Sequence, residues 1–407
     1  MKTHSMWLLA VLTVCGTGVC GEGAVLDAMD ALSFSPPKEK GAVELVDGKV
    51  GKAIQFSFKD ACSGIFSMGK LRGKPEWDQA AGFSFWVKGD GSNHLGGLQF
   101  VWNEDYALRY TYAFPIDSTE WKKITVAWRD LTPVLSKADV KPCDAKNGNA
   151  PSKLGNIWFG KWFFWKDYAA HSYAIDEICL EPTIELDNSD YKPAGEPLAR
   201  VLAKIKAKQP VTLVTTGDSL SAVEHWANKN VLWQNLLKQM IKTKYGSDVT
   251  IVNPAIGGTE LLQGLVIIPR WIKEAPEPDL VTIFYGGNDR EGGMTAEKFV
   301  EVQKDAVLRM RRATKGKADL LIMATAPSLK TYETTAPLAD ACKKAAEVAK
   351  AGICDIFAAF KAVPPAEREK LFATLPGTNT CEGVHMGAAG HELIARNVLE
   401  ALERAGK

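Results

Sequence analysis

Hydrophobic and polar residues follow different patterns in the two halves of the chain. From residue 22 to residue 185 the apolar residues come in short alternating runs, such as Ala81-Gly-Phe-Ser-Phe-Trp-Val-Lys88. Two further runs, 121–128 and 172–180, have the same character, and Gly89-Asp90-Gly91 is a turn sequence. Alternation with a period of two is typical of strands with one buried face. This part of the chain is therefore predicted to be an all-β sandwich.

From residue 210 onward, apolar strand-like runs alternate with segments of helical spacing. The predicted strands are 211–215, 249–252, 280–285 and 320–324. The predicted helices are 230–244, 295–314 (with Thr295 as the N-cap), 336–351 and 387–405. Strands that alternate with helices indicate βαβ units around a parallel sheet. Between the two patterns, residues 186–209 are polar and contain prolines, which predicts a linker that ends in a short helix at 198–208.

Length and charge restrict the class of protein. The chain has 407 residues, more than one domain usually holds, and its formal net charge is +1. Without a basic excess there is no electrostatic drive toward nucleic acid or an anionic membrane, so neither is expected as a partner. After the first residues, no segment is long and apolar enough to span a membrane.

The N-terminus has the features of a cleaved export signal over residues 1–21. Lys2 and His4 precede an apolar run from Trp7 to Cys15, and 19–21 is a suitable cleavage site. A lipoprotein anchor is disfavoured, because Val14 and Val19 stand where such signals prefer small residues. The predicted location is therefore secreted or periplasmic. Six cysteines follow the signal, and their pairing stays open: Cys62, Cys143, Cys179, Cys342, Cys354 and Cys381.

Four polar motifs lie where loops of the predicted sheet meet. Gly217-Asp218-Ser219-Leu220, Asn253-Pro-Ala-Ile-Gly-Gly258 and Gly286-Gly-Asn-Asp289 each follow a strand, and Glu382-Gly-Val-His385 precedes the last helix. Because the carboxyl ends of parallel strands share one edge of a sheet, these motifs are expected to come together.

Together these motifs hold the groups that acyl transfer requires. Ser219 is the candidate nucleophile, His385 its base and Glu382 the carboxylate that orients the base. The backbone N–H groups of Ser219 and Gly258 and the side-chain amide of Asn288 are the candidate oxyanion donors.

Structural interpretations compete for several of the same residues. A lone Gly-Asp-Ser-Leu is more often a turn, and Gly257 and Gly258 also fit a turn. Asp218 and Asp289 are expected to accept bonds from loop amides, and His391 is expected to be structural. For His225 and Trp226, packing and a place in the cleft remain equally open.

The four motifs resemble those of the SGNH (GDSL) hydrolase family of esterases and lipases, whose name residues map onto Ser219, Gly258, Asn288 and His385. The resemblance covers 210–407. It implies a flavodoxin-like α/β/α sandwich and catalysis without a metal or cofactor. The family's last motif is Asp-x-x-His, and Glu382 stands in place of the aspartate. A Ser-His-Glu triad and a Ser-His dyad are both open on this evidence.

Eight of the 12 tryptophans lie between Trp77 and Trp165, where they fit either a sandwich core or a platform for sugar rings. The segments 25–29, 83–88 and 173–178 resemble jelly-roll carbohydrate-binding modules and the related CIA30-like domains. Such modules often hold a structural calcium, for which Asp176 is the candidate. The combined prediction is a secreted serine esterase that removes short acyl groups, O-acetyl above all, from a carbohydrate. The alternatives are a lipase or thioesterase of the same family, and a non-catalytic glycan-binding protein.

Overall fold

The structure, a computed structural model, describes residues 23–59, 65–134, 141–161 and 169–405. The predicted signal at 1–21 lies outside the described residues. Cys62 and the aromatic residues at 162–165 and 168 also lie outside them.

Residues 23–181 form two antiparallel sheets, which confirms the predicted jelly-roll sandwich. The strands are β1 (Val25–Asp27), β2 (Gly41–Asp47), β3 (Lys52–Phe58), β4 (Ile65–Met68), β5 (Gly82–Gly89), β6 (Leu95–Trp102), β7 (Asp105–Pro115), β8 (Lys122–Ala127), β9 (Thr132–Pro133), β10 (Leu154–Lys161) and β11 (His171–Glu181). One sheet has the order β2-β3-β11-β5-β8, with β1 paired to β11, and the other has the order β4-β10-β6-β7-β9. We call this sandwich the β-domain.

Large aromatic side chains fill the space between the two sheets. Trp77 is 1% exposed and stacks on Trp128 with ring centroids 5.5 Å apart. Phe83 packs on Trp128, and Phe85 contacts Phe114 edge to face. Such rings bury large apolar areas and so hold the two sheets together. For Trp77 and Trp128 the core interpretation is therefore the right one.

The second half is built on a parallel sheet covered by helices. Its elements are α1 (Ala199–Lys206), β12 (Val211–Gly217), α2 (Trp233–Tyr245), β13 (Val249–Val252), α3 (Leu261–Val266), α4 (Ile268–Glu274), β14 (Leu280–Phe284), α5 (Gly287–Glu291), α6 (Ala296–Ala313), β15 (Asp319–Met323), α7 (Tyr332–Ala349), β16 (Gly352–Cys354), α8 (Ile356–Ala362), β17 (Phe372–Thr374), β18 (Cys381–Met386) and α9 (Ala388–Arg404). The sheet order is β13-β12-β14-β15-β16 with parallel pairing throughout. This order, 2-1-3-4-5 by sequence, is the flavodoxin-like arrangement expected. We call this part the α/β-domain.

Local details agree with the sequence prediction at some points and differ at others. Thr295 caps α6, because its side chain accepts a bond from the N–H of Lys298. Ser219 does not enter a helix directly: a turn and a 3₁₀ segment at Trp226–Asn228 come before α2. His385 lies on β18, which pairs antiparallel with β17, and not in a loop.

Helices of the α/β-domain pack on the second sheet of the β-domain. α3 contacts β7 and β9, and α4 contacts β7. Leu95 of β6 belongs to one buried apolar cluster with Val266 and Ile267. The guanidinium of Arg309 donates to the backbone carbonyls of Arg129 and Asp130, both at 3.0 Å. These contacts fix the position of the β-domain beside the parallel sheet.

Two findings bear on the cysteines and on membranes. Cys143, Cys342 and Cys354 are buried free thiols, and Cys381 is free and half-buried, whereas Cys179 is disulfide-bonded. Among the described residues, no helix combines the length and the apolarity that crossing a membrane requires.

Candidate active site

Ser219 lies in a turn at the carboxyl end of β12, which lies between β13 and β14 in the parallel sheet. The N–H groups of Ser221 and Ala222 both donate to the carbonyl of Asp218, which closes the turn. The carboxylate of Asp218 accepts a further bond from the N–H of Leu220 at 2.9 Å. The prediction that Asp218 orders this loop agrees with these contacts.

The structure brings Ser219, His385 and Glu382 together in a line. His385 Nε2 lies 3.0 Å from Ser219 Oγ, and His385 Nδ1 lies 3.2 Å from Glu382 Oε1. A carboxylate at Nδ1 favours the tautomer that is protonated there, which leaves Nε2 to accept the serine proton. The three residues are therefore arranged so that His385 can take a proton from Ser219.

The turn from Glu382 to His385 explains how a glutamate reaches the position of the expected aspartate. Glu382 Oε2 accepts bonds from the N–H groups of Val384 and His385, at 2.8 and 2.6 Å. Gly383 has a φ of 80°, a left-handed conformation that glycine adopts without strain. Burial opposes ionisation of Glu382, but the two backbone N–H groups and the imidazole outweigh it and lower the pKa of the carboxyl. Glu382 is therefore held as an anion against the imidazole.

His225 is a site residue for which the sequence left the role open. Its ring stacks on that of His385 with centroids 3.8 Å apart and planes 25° apart, and Trp226 contacts His385 edge-on at 6.4 Å. His225 Nδ1 accepts from the N–H of Ala227 at 3.3 Å, which fixes its ring. Burial lowers the pKa of His225, and the neighbouring His385 lowers it further by a smaller amount. A neutral ring in this place limits the movement of His385 without adding a second positive charge.

The candidate oxyanion donors Asn288 and Gly258 lie in α5 and in the loop between β13 and α3. Asn288, in α5, donates through its Nδ2 to the carbonyl of Thr259 at 2.9 Å and faces Asp218 Oδ2 at a long 3.4 Å. Gly257 lies directly against Ser219: a Cβ placed there would be 3.6 Å from Ser219 Cβ. Gly258 is exposed and has a φ of 78°, so this loop position favours glycine. The second Nδ2 proton of Asn288 is only weakly engaged.

Two buried carboxyls lie behind these donors. Burial raises the pKa of Asp218 to about 6 and that of Asp289 to about 8, and the charges of Glu260 and Asp218 add to the shift of Asp289. Asp289 Oδ1 accepts from the N–H of Leu261 at 3.1 Å. This contact agrees with the expectation that Asp289 accepts bonds from loop amides. At neutral pH Asp289 is therefore mostly protonated, and it adds little negative charge next to the oxyanion site.

A buried asparagine, Asn228, holds the loop of Ser219 in place by hydrogen bonds. The sequence did not single it out. Asn228 Nδ2 donates to the carbonyls of Ser219 and Ala222, at 2.8 and 2.7 Å. Its Oδ1 lies 3.1 Å from Nε2 of His391, which is fully buried. His391 therefore acts on the site only through Asn228, in keeping with its predicted structural role. An isolated Asn within a polar stretch carries no periodic signal, which is why sequence reasoning missed it.

Asp176, the calcium candidate, is buried in β11. Its Oδ2 accepts from the N–H of Val50 at 2.9 Å, and burial raises the pKa of its carboxyl. Among the described residues, no group of three or more His, Cys, Asp or Glu side chains is placed to hold a metal ion. Calcium also takes backbone and amide oxygens as ligands, which such a group does not include, so a calcium site at Asp176 stays a prediction.

Comparison with known proteins identifies both halves. Residues 215–393 match the GDSL-like lipase/acylhydrolase family, and residues 22–178 match the carbohydrate binding domain of family 11. No curated protein gives a significant match.

Three similar solved structures illustrate the two parts. An acetyl xylan esterase from Geobacillus stearothermophilus is 21% identical and covers 47% of this chain and 94% of its own, with a TM-score of 0.37. A family 11 carbohydrate-binding module from Clostridium thermocellum, in complex with a β-1,3-1,4-mixed-linked tetrasaccharide, is 18% identical and covers 40% and 98%, with a TM-score of 0.31. A Bacillus subtilis protein is 16% identical and covers 93% of both chains, with a TM-score of 0.39.

The parallel sheet, the four motifs and the family match agree with one another. The chain therefore carries an ester hydrolase domain of the GDSL-like lipase/acylhydrolase family, preceded by a carbohydrate-binding domain of family 11.

Proposed function

We propose that this protein removes short acyl groups, O-acetyl above all, from a carbohydrate, with Ser219 as the nucleophile. One observation carries the proposal: Ser219 Oγ lies 3.0 Å from His385 Nε2, whose Nδ1 lies 3.2 Å from Glu382 Oε1. A serine hydroxyl becomes a good nucleophile when a neighbouring base takes its proton, and this contact supplies the base.

The reaction proceeds in two balanced halves. Ser219 Oγ attacks the ester carbonyl carbon while its proton passes to His385 Nε2. The tetrahedral intermediate collapses, the C–O bond to the sugar breaks, and the imidazolium returns the proton to the leaving oxygen. Water then attacks the acyl-serine by the same route, which releases the carboxylic acid and regenerates Ser219. Glu382 stabilises the imidazolium in both halves.

The negative oxygen of the intermediate requires donors that are already in place. The proposed donors are the N–H groups of Ser219 and Gly258 and the side-chain amide of Asn288. Asn288 is oriented by the carbonyl of Thr259, so it pays no reorganisation cost as charge develops.

The carbohydrate part of the proposal is supported by the β-domain and its surface. Residues 22–178 match a family of carbohydrate-binding domains. Tyr106 is 52% exposed and Phe66 is 38% exposed, and both rings lie against Trp158, with Phe66 stacked on it at 4.4 Å. Flat exposed rings suit stacking on sugars. Export to the cell exterior or periplasm, where such polymers occur, belongs to the same proposal.

The first test is turnover of p-nitrophenyl acetate by the wild type and by Ser219→Ala. We expect the variant to lose roughly 10⁴-fold or more in kcat, as loss of a nucleophile usually entails. Ser35→Ala, an exposed serine of the β-domain, is the matched control and should keep the wild-type rate. Wild-type turnover no faster than that of Ser219→Ala would refute the catalytic proposal and favour a non-catalytic glycan-binding protein.

The second test separates acetylesterase from lipase or thioesterase. Aryl esters of increasing acyl length should be cleaved best at two carbons, and acetate should be released from acetylated polysaccharides. A preference for long acyl chains or for thioesters would move the protein to the alternative class.

A further inference from the structure

A cavity of about 510 Å³ opens beside the nucleophile. Ala222, His225 and Gly257 form part of its wall. Gly257 is the residue against Ser219, and His225 is stacked on His385. The cavity therefore adjoins the position of an ester bound at Ser219.

Both domains line the cavity. Asn93 and His94 come from the turn between β5 and β6 of the β-domain, and Glu224, Arg270 and Glu274 come from the α/β-domain. The residue that follows His94 in the chain is Leu95, whose side chain is buried in the apolar cluster between the domains. Asn93 and His94 are thus placed at the cavity by the packing of the two domains.

A second contact fixes the same region. Lys273, next in the chain to Glu274, forms an ion pair of 2.8 Å with Asp117 of the β-domain. Asp117 follows β7, whose residues pack on α4. The two walls of the cavity are therefore tied together at both the apolar cluster and this ion pair.

The polar groups of the cavity fit a polyhydroxylated ligand. Within the described parts of the chain, the side chains of Asn93, Glu224 and Glu274 make no hydrogen bond or ion pair. An amide and two carboxylates supply donors and acceptors, which is what sugar hydroxyls require, since each hydroxyl both donates and accepts. Arg270 and His94 are further polar residues on opposite walls. An acyl chain or a lipid would leave these groups desolvated without partners, which is costly.

We infer that this cavity between the domains binds the sugar that carries the ester, with Asn93 and Glu274 as specificity-determining residues from the two domains. The inference rests on the proposed function and adds to it. The β-domain then contributes directly to the substrate site and does more than anchor the enzyme to a polymer.

The test compares two substrates in the full-length protein. p-Nitrophenyl acetate has no sugar, whereas partially acetylated xylo- and gluco-oligosaccharides carry sugar on the alcohol side. We expect Asn93→Ala and Glu274→Gln each to lower the ratio of kcat/KM for the oligosaccharides to that for the aryl ester. The fall should be about five- to tenfold, mostly through KM, as one or two lost hydrogen bonds predict. Gln79→Ala, another exposed amide of the β-domain outside the cavity, should leave the ratio unchanged.

The outcomes separate this inference from the proposed function. An unchanged ratio in both variants, or a wild type that cleaves the aryl ester but no oligosaccharide ester, would overturn the sugar site and leave ester hydrolysis intact. A wild type without activity on either substrate would instead refute the proposed function. Since Asn93 and Glu274 are exposed, their thermal unfolding should match that of the wild type.

Discussion

The serine side and the histidine side of the site are held in place by different means. The serine side (Asp218, Ser219, Asn228, His391) rests on buried groups: Asp218, Asn228 and His391 are at most 4% exposed. On the histidine side (His225, Glu382, His385), the side chains of Glu382 and His385 are each 18% exposed. Among the described strands, β18 pairs with the short β17 alone. The nucleophile is thus fixed by the core of the sheet, whereas its base depends on a few local hydrogen bonds. We therefore expect substitutions on the histidine side to cost activity first and those on the serine side to cost stability as well.

Among the substitutions that test this comparison, Glu382→Gln should have the largest effect. Losing the charge that holds His385 should lower kcat by roughly 10²- to 10³-fold with little change in thermal stability, because an orienting carboxylate sets the tautomer of the base. Steady-state kinetics with p-nitrophenyl acetate and a melting curve would measure both. Glu382→Asp, which keeps the charge on a shorter stem, should recover part of the rate. An unchanged kcat/KM in Glu382→Gln would mean that a Ser-His dyad operates.

Asn228→Ala should have the next largest effect. It removes the donor to the carbonyls of Ser219 and Ala222 and leaves these groups and His391 without their buried partner. We expect a loss of about 2–3 kcal/mol in the free energy of unfolding, measured in urea, together with a fall in kcat. Asn397→Ala, which removes a helix-surface bond to the carbonyl of Leu393, is the control and should cost less. A full-rate, fully stable Asn228→Ala would contradict the buried-support interpretation.

The smallest expected effect is a pH dependence of stability from His391. Burial lowers the pKa of its imidazole to about 4, against about 6.5 in an unfolded chain. Between these values the unfolded chain binds a proton that the folded protein does not, so stability falls as the pH drops from 6.5 to 4. The contribution is about 1–2 kcal/mol after allowance for relaxation. In His391→Gln the fall in melting temperature over this range should be shallower than in the wild type. If the melting temperatures of the two proteins fell equally steeply with pH, His391 would not be the group responsible.

Much of the fold could be predicted because it depends on local signals. The strands at β12, β13, β14 and β15 were apparent from continuous apolar runs, and the cap at Thr295 from a single side chain. The elements of this half that were missed are short or lack a period: α3 to α5, β16, α8, and the ribbon of β17 and β18. For such segments the pairing partner, more than local propensity, decides the structure.

In the site, too, the residues with a local sequence signal could be predicted and those that act through tertiary contacts could not. Ser219, Gly258 and Asn288 stood out because each belongs to a motif that follows a predicted strand. Glu382 and His385 stood out as a motif that precedes the last helix. Asn228 and the stack of His225 on His385 did not, because their roles depend on contacts across the turn and across 160 residues of chain.

The sequence by itself determined the class of chemistry, since a nucleophile, a base and donors in the right order leave few other reactions open. It also determined that a sandwich precedes a parallel sheet, because periods of two and of 3.6 are local properties. Only the tertiary structure decided that Glu382 reaches His385, since this required the left-handed turn at Gly383. Only the packing of the two domains placed Asn93 beside Glu274, because residues far apart in sequence meet only once the apolar cluster between the domains is buried.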